Sequence, residues 1–318
     1  DEQRRPERPR PELPAQPQCK DATFDEDWEC FKSVMWAKVV GIYDRRDWYP
    51  GLNPDSSFGE FQADLFKKKA GNCSKPCNGG PHPKTKPVGD SLFCFSFVVP
   101  GSSEEQLVRF MLRKQAGIFT CDTFRVVSTA EIHLGQLNGA DVISVVNTEA
   151  ASKKRDSWHN SELFASTWEY LMKEERDAMY RRDWIVKVDP DCVFFPDRLK
   201  VHIREHAVPG ARQYFTNCNW PVGASKLYGA LEVFSREAIQ AYDVGWKKCQ
   251  YNGGWRNLGE DLYLQECLAT LHVTKVGEFT LVGDERCAKA PCWDKSRASF
   301  HPYKDEGSFS SCYSQATR

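Results

Sequence analysis

Apolar positions follow two different periods, and the pattern changes near residue 91. In "DEDWECFKSVMWAKVVGIY", Trp28, Phe31, Met35, Val39 and Ile42 recur at helical spacing. Ser56-Ser57 stands where a short helix from Phe58 to Phe66 would be capped. The run "GNCSKPCNGGPHPKTKPVGD", dense in Gly, Pro and Lys, reads as loop. Beyond it, strands alternate with helices. "SLFCFSFVVP" is an apolar run of buried-strand length, and "SSEEQLVRFMLRKQAGIF" opens on a capping box, Ser102-x-x-Glu105, leading into an amphipathic helix. "FRVVST" and "DVISVVN" read as two strands, and "SWHNSELFASTWEYLMKEERDAMYRRD" as one long helix with Leu163, Phe164, Trp168 and Leu171 on a face. "WIVKV" and "QYFTNCNW" read as strands, and "GALEVFSREAIQAYDVGW" as a strand running into a helix. "LGEDLYLQECLATLHV" is a helix with Leu264, Leu268 and Leu271 on its apolar face, and the remainder is loop-rich with a short strand. Such alternation predicts an α/β layered domain with a largely parallel sheet.

Composition narrows the class. With 318 residues the chain can form one large or two modest domains, and a net charge of −1 favours neither nucleic acid nor a strongly acidic partner. No stretch of about 18 apolar residues offers a membrane span. The opening "DEQRRPERPRPELPAQPQ" cannot bury a core, so residues 1–18 are expected to be a disordered stem. The chain is then expected to be the lumenal part of a longer type II membrane protein, tied to the membrane only through a segment outside this sequence, or else secreted.

The 13 cysteines say most. Only Cys73/Cys77 and the looser Cys287/Cys292 lie close together, and no histidine stands at zinc-finger spacing, so a disulfide framework in an oxidising compartment fits better than metal clusters. An odd count leaves one thiol free, or available to join two chains as a disulfide-linked homodimer. Asn72-Cys73-Ser74 is a formal glycosylation sequon. Residues 19–90 are expected to be a disulfide-stapled accessory subdomain.

The candidate chemistry sits in "RRDWIVKVDPDCVFFPDRL". A strand that reads as buried ends on Asp189-Pro190-Asp191, and unpaired buried carboxylates are costly. Two acids one residue apart can share a hard divalent cation, and the carboxyl end of a strand is where open α/β sheets bind ligands. The plainer alternative is a solvated Asp-Pro-Asp turn.

Four stretches in order, "WIVKVDPDCVFFPDRL", "LYGALEVFSREAIQAY", "GEDLYLQECLATLHV" and "FHPYKD", resemble the motif order of GT-A glycosyltransferases, most of all the fringe and core-1 β1,3-galactosyltransferase group. "LFCFSFVV" with "CDTFRVV" is similar to the start of their nucleotide-binding half. The likeness spans about residues 91–304. It departs at Pro190, where a middle acid is usual, at Leu227-Tyr228-Gly229-Ala230, where a double glycine is usual, and at Asp261-Leu262, where Asp-Val is usual.

The resemblance implies a Rossmann-like mixed sheet flanked by helices over 91–318, with a nucleotide-sugar half (91–200) and an acceptor half (201–318). It implies that Asp191 and His301 ligate Mn²⁺ or another divalent cation on the diphosphate of a UDP-sugar, with Asp189 on the ion through water or near the ribose. Asp261 would be the general base, with Glu260 as the alternative. Arg109 and Arg113, with Lys114, would lie near the nucleotide, although a solvated helix face explains them equally. Tyr228 and Gly229 fall in the acceptor-side segment. Trp220, Trp255 and Trp293 are candidate sugar platforms, with core packing as the alternative.

The expected function is therefore transfer of a hexose or N-acetylhexosamine, galactose-type, to a hydroxyl of a glycan or glycoprotein, with inversion, in the Golgi lumen or outside the cell. The competing readings are a retaining transferase on the same ion site, a non-catalytic glycan- or nucleotide-sugar-binding protein, and a Ca²⁺-binding adhesion module, which the α/β pattern disfavours.

Overall fold

The structure is a computed structural model describing residues 19–77, 89–153, 160–251 and 253–318. The expected stem, 1–18, and the loop from 78 to 88 lie outside the described residues. The chain forms two compact units, Asp1–His82 and Pro83–Arg318.

The first unit is helical: α1 (Trp28–Trp36), α2 (Ile42–Asp44) and α3 (Phe58–Lys67). Met35, Val39 and Ile42 are buried, as their spacing predicts. A π-helical turn, Ala37–Gly41, widens the repeat between α1 and α2, so Val39, Val40, Gly41 and Ile42 all face inward. Gly41 is required there, because a Cβ would lie 2.8 Å from the Tyr49 ring. Ser57 caps α3 in a reciprocal box with Glu60. The core is small, and the disulfides Cys19–Cys77 and Cys30–Cys73 staple it.

The second unit is α/β. Its elements in chain order are β1 (Leu92–Val98), α4 (Ser103–Lys114), β2 (Thr123–Ser128), β3 (His133–Leu137), β4 (Ala140–Ile143), β5 (Val145–Val146), α5 (Ser161–Glu174), α6 (Arg176–Tyr180), β6 (Trp184–Val188) and β7 (Val193–Phe194). There follow α7 (Pro196–His206), β8 (Gln213–Thr216), β9 (Leu231–Ser235), α8 (Arg236–Cys249), α9 (Glu260–Thr270), β10 (Thr274–Gly277), β11 (Val282–Gly283), β12 (Ser299–Phe300) and α10 (Glu306–Ala316). A central sheet of order β10-β8-β9-β6-β1-β2-β5 is parallel throughout, except that β9 runs antiparallel to both β6 and β8. This is the largely parallel α/β sheet that the alternation predicts, with the mixed order and flanking helices that the resemblance implies. β1, β6 and β9 are buried along their whole length, which is why they read as apolar runs.

Three expectations are corrected. "DVISVVN" is not one strand: its first half, β4, folds back on β3 as a hairpin through Asn138-Gly139, both at positive φ. That is the two-residue turn in which Asn-Gly is favoured. The long helix breaks at Glu175 into α5 and α6. The odd thiol does not join two chains. Six disulfides close within the chain, and the remaining Cys192 is fully buried, out of reach of a partner. A framework of this kind belongs in an oxidising compartment. Among the described residues no helix is long and apolar enough to cross a membrane.

Two pairings position the site. Because β9 is antiparallel to β6, with Val188 opposite Leu231, the segment entering β9 meets the carboxyl end of β6, and the Asp189 N–H donates to the Ala230 carbonyl at 3.1 Å. The second is a small sheet of order β11-β12-β7, with Phe300 facing Val193 on one side and Gly283 on the other.

Candidate metal centre

That small sheet assembles the cluster. Asp191 lies just before β7, His301 just after β12 and Asp284 just after β11, so the register brings segments about a hundred residues apart side by side. The Tyr303 N–H donates to the Asp191 carbonyl at 2.8 Å, and the His301 N–H to the Gly283 carbonyl at 3.0 Å, which fixes both turns. The disulfide Cys218–Cys287 anchors the Asp284 turn further.

Asp189, Asp191 and His301 each turn one ligand atom inward, all within 4.8 Å of one another. Nε2 of His301 is 3.4 Å from Oδ1 of Asp191, while Nδ1 is 2.7 Å from Oδ2 of Asp284. The Tyr228 hydroxyl donates to the same Asp284 oxygen at 3.1 Å. With Nδ1–H committed to a buried carboxylate, Nε2 is the nitrogen that faces the acids, an arrangement typical of metal-binding histidines. Oxygen and imidazole donors together suit Mn²⁺ and similar ions. The ammonium of the exposed Lys304 sits 3.2 Å from Oδ2 of Asp191, so positive charge already stands against this carboxylate.

The electrostatics follow from this packing. Burial works against the Asp191 carboxylate, but the His301 hydrogen bond and the charges of His301 and Lys304 outweigh it and hold its pKa down. Burial lifts Asp189, and the charges of Glu260 and Asp191 add to this against the pull of Lys187. Burial would lower His301, yet its two carboxylates push it up to about 9.

Behind Asp189 lies Lys187, which the sequence reading passed over. It is fully buried, 2.6 Å from Asp189 Oδ1 and 3.1 Å from Glu260 Oε1, and it donates to the Gly229 carbonyl at 2.8 Å. Gly229 has no room for a side chain, since a Cβ would stand 2.6 Å from Glu260 Oε1. Burial raises Glu260, but Lys187 overrides this and keeps it ionised. Asp261 differs: burial and the charge of Glu260 lift its pKa, against hydrogen bonds from the Leu262 N–H, 2.7 Å from Oδ1, and from the Gly229 N–H.

The other predicted residues divide. Arg109 pairs with Glu105 at 2.8 Å and bonds the His133 carbonyl, while Arg113 pairs with Glu306 at 3.0 Å, so both charges are committed away from the acids. What α4 directs toward them is Glu104, whose pKa is raised by burial and then by Asp189 and Asp191. The capping box of α4 also closes differently, the Glu105 carboxylate accepting from Gly101 N–H at 2.7 Å rather than from Ser102. Trp220 and Trp293 are exposed, at 62% and 66%, and present open ring faces. Trp255 is buried, its ring centroid 5.0 Å from that of Tyr263 and Arg256 over its face, so it packs rather than offering a platform. Tyr228 serves the Asp284 anchor. Lys187, Glu104 and Asp284 were missed. Lys187 had a signal, a lysine at the centre of an apolar strand two residues before an acid; Asp284 had none.

No protein-family model matches the chain, and no curated protein matches it. Among solved structures, a glycosyltransferase involved in glycosylation of the major capsid of PBCV-1 is similar with a TM-score of 0.42 and 10% identity, over 70% of this chain and 98% of that one.

Proposed function

We propose that this chain is a metal-dependent GT-A glycosyltransferase, related to the fringe and core-1 β1,3-galactosyltransferase group, that moves a hexose or N-acetylhexosamine from a UDP-sugar to a hydroxyl of a glycan or glycoprotein. The observation that carries it is the convergence of Asp189, Asp191 and His301 at the carboxyl end of β6, with Asp284 fixing the imidazole. UDP, inversion and a Golgi setting rest on the sequence resemblance, and the disulfides fit that route.

A divalent cation held by Asp191, His301 and Asp189 would supply Lewis-acid stabilisation of the leaving diphosphate. The remaining roles fall to the chain. Glu260 is committed to Lys187 and stays ionised. Asp261, whose pKa burial and the charge of Glu260 raise despite the pull of Lys187, is the carboxylate suited to take a proton. The acceptor oxygen forms its bond to the anomeric carbon as its proton passes to Asp261, and the bond to the diphosphate breaks with its electron pair leaving on UDP. Trp220 and Trp293 offer faces on which an acceptor sugar can stack. Residues 19–90 serve as an accessory subdomain and 91–318 as the catalytic part.

The test is a panel of UDP-sugars with Mn²⁺, read by thermal shift and by UDP release. One donor plus Mn²⁺ should raise Tm jointly, because ligands that bind only the native state stabilise it. Asp261→Asn should lower transfer about 10²- to 10⁴-fold while leaving the UDP–Mn²⁺ shift intact. Turnover by Asp261→Asn at the wild-type rate, or no UDP release from any donor, would sink the reading.

A further inference from the structure

β6 is buried at every position, yet its fourth residue is Lys187. Strand alternation puts Lys187 and Asp189 on the same side, and the β6–β9 register sets Lys187 opposite Glu232. The ammonium lies 2.6 Å from Asp189 Oδ1, 3.1 Å from Glu260 Oε1, 3.8 Å from Glu232 Oε1 and 4.6 Å from the centroid of the Phe164 ring. One positive charge therefore serves carboxylates from the end of β6, from β9 and from the first turn of α9. Acid is in excess, and Oε1 of Glu232 makes no hydrogen bond among the described residues. Neutralisation alone would need only one of these carboxylates, the remaining N–H groups of a buried ammonium needing hydrogen-bond acceptors rather than further charges.

What the arrangement does is share Asp189. The oxygen that Lys187 holds belongs to a carboxylate that also faces Asp191 and His301. An ammonium and a divalent cation on one carboxylate repel each other and compete for its lone pairs. The same ammonium fixes Glu260, next to Asp261, and the Gly229 carbonyl.

We infer that Lys187 is an internal counter-cation that restrains the affinity of Asp189 for the divalent ion while holding the start of α9 in place, and so acts as a positioning residue between the ion-binding acids and Asp261. This rests on reading Asp189 as a cation ligand. Removing the ammonium has opposite effects on two measurements. Cation binding strengthens, because the competitor is gone; transfer weakens, because Glu260 and Asp261 lose their anchor. General damage to the fold lowers both together.

The probe is Mn²⁺ alone, titrated into the full chain with its disulfides formed and followed by the EPR signal of free Mn²⁺. The proteins are wild type, Lys187→Met, and the double variant Lys187→Met/Glu232→Met, which removes the cross-strand pair as a unit and carries the comparison should the single variant not fold. Both variants should bind Mn²⁺ about three- to tenfold tighter than wild type, with kcat at saturating Mn²⁺ reduced at least about tenfold. Wild type that binds no Mn²⁺ overturns the metal reading and this inference with it. Wild type that binds, beside folded variants that bind equally or more weakly, overturns the inference alone.

Discussion

Oδ2 of Asp284 lies 2.7 Å from Nδ1 of His301, and this contact decides which ring nitrogen is left to face Asp191. Asp284 is itself buried and held by the Tyr228 hydroxyl and the Arg286 N–H. On the proposed function it would therefore act on the ion through the imidazole rather than as a ligand. Asp284→Asn should weaken Mn²⁺ binding about 10- to 100-fold and leave secondary structure unchanged. Calorimetric titration with Mn²⁺ checks this, and an unaltered Kd would show that the imidazole needs no such support.

Gly229 offers a steric test of the acid network. Its missing Cβ leaves space that Glu260 Oε1 occupies, and Glu260 cannot swing away without leaving Lys187. Gly229→Ala should cost about 1–3 kcal/mol of stability and slow transfer more than it weakens Mn²⁺ binding. Urea unfolding and steady-state kinetics separate the two effects. A variant as stable and as active as wild type would mean that the Glu260 carboxylate is free to move.

Cys192 should be silent in the native protein. Burial pushes its thiol pKa far up, and no part of it reaches solvent. A thiol reagent should label one cysteine per chain after denaturation and none before. The chain should also migrate as a monomer on non-reducing gels. Rapid native labelling, or a covalent dimer, would contradict the packing described.

Away from the Asp189, Asp191 and His301 cluster, Glu278 sits between His202 and His206 and accepts from the Thr280 hydroxyl. Burial would raise Glu278, but the hydrogen bonds from His202 and Thr280 outweigh it and bring its pKa to about 2, below the ordinary 4.5. Burial would lower His202, but the bond to Glu278 wins and lifts it above 6.5. The Glu278 contribution is present above pH 4.5 and lost as pH falls toward 2; that of His202 is present below pH 6.5 and lost as pH rises through its native value. The pair thus stabilises most between pH 4.5 and 6.5. Glu278→Gln should remove about 1–3 kcal/mol in that window and flatten the acid limb of the stability curve. Tm measured across pH checks it, and an acid limb as steep as that of wild type would point to other carboxylates.

Where packing and local chemistry agree, the sequence was readable. β1, β6 and β9 announced themselves as apolar runs because both sides are covered, and Ser57 and Ser102 marked helix starts through the hydrogen bonds they make. The acid pair at the end of β6 and the later His301 were nameable, although their meeting depends on β7, β11 and β12, each two residues long and too short to show a period. Asp284 was invisible for that reason. The Asn138-Gly139 hairpin was legible but lost inside a longer apolar stretch. Lys187 was overlooked because strand patterning treats a single charge as noise, while the structure buries it fully against Asp189, Glu260 and the Gly229 carbonyl. Disulfide pairing is set by long-range proximity, which local spacing does not encode.

The β11-β12-β7 arrangement also bears on timing. β7 (Val193–Phe194) and β12 (Ser299–Phe300) are far apart in the chain, so this sheet forms only when distant segments have met. Until they meet, Asp191 has no imidazole beside it. On the proposed function, uptake of the ion would thus report that all three short strands have come together.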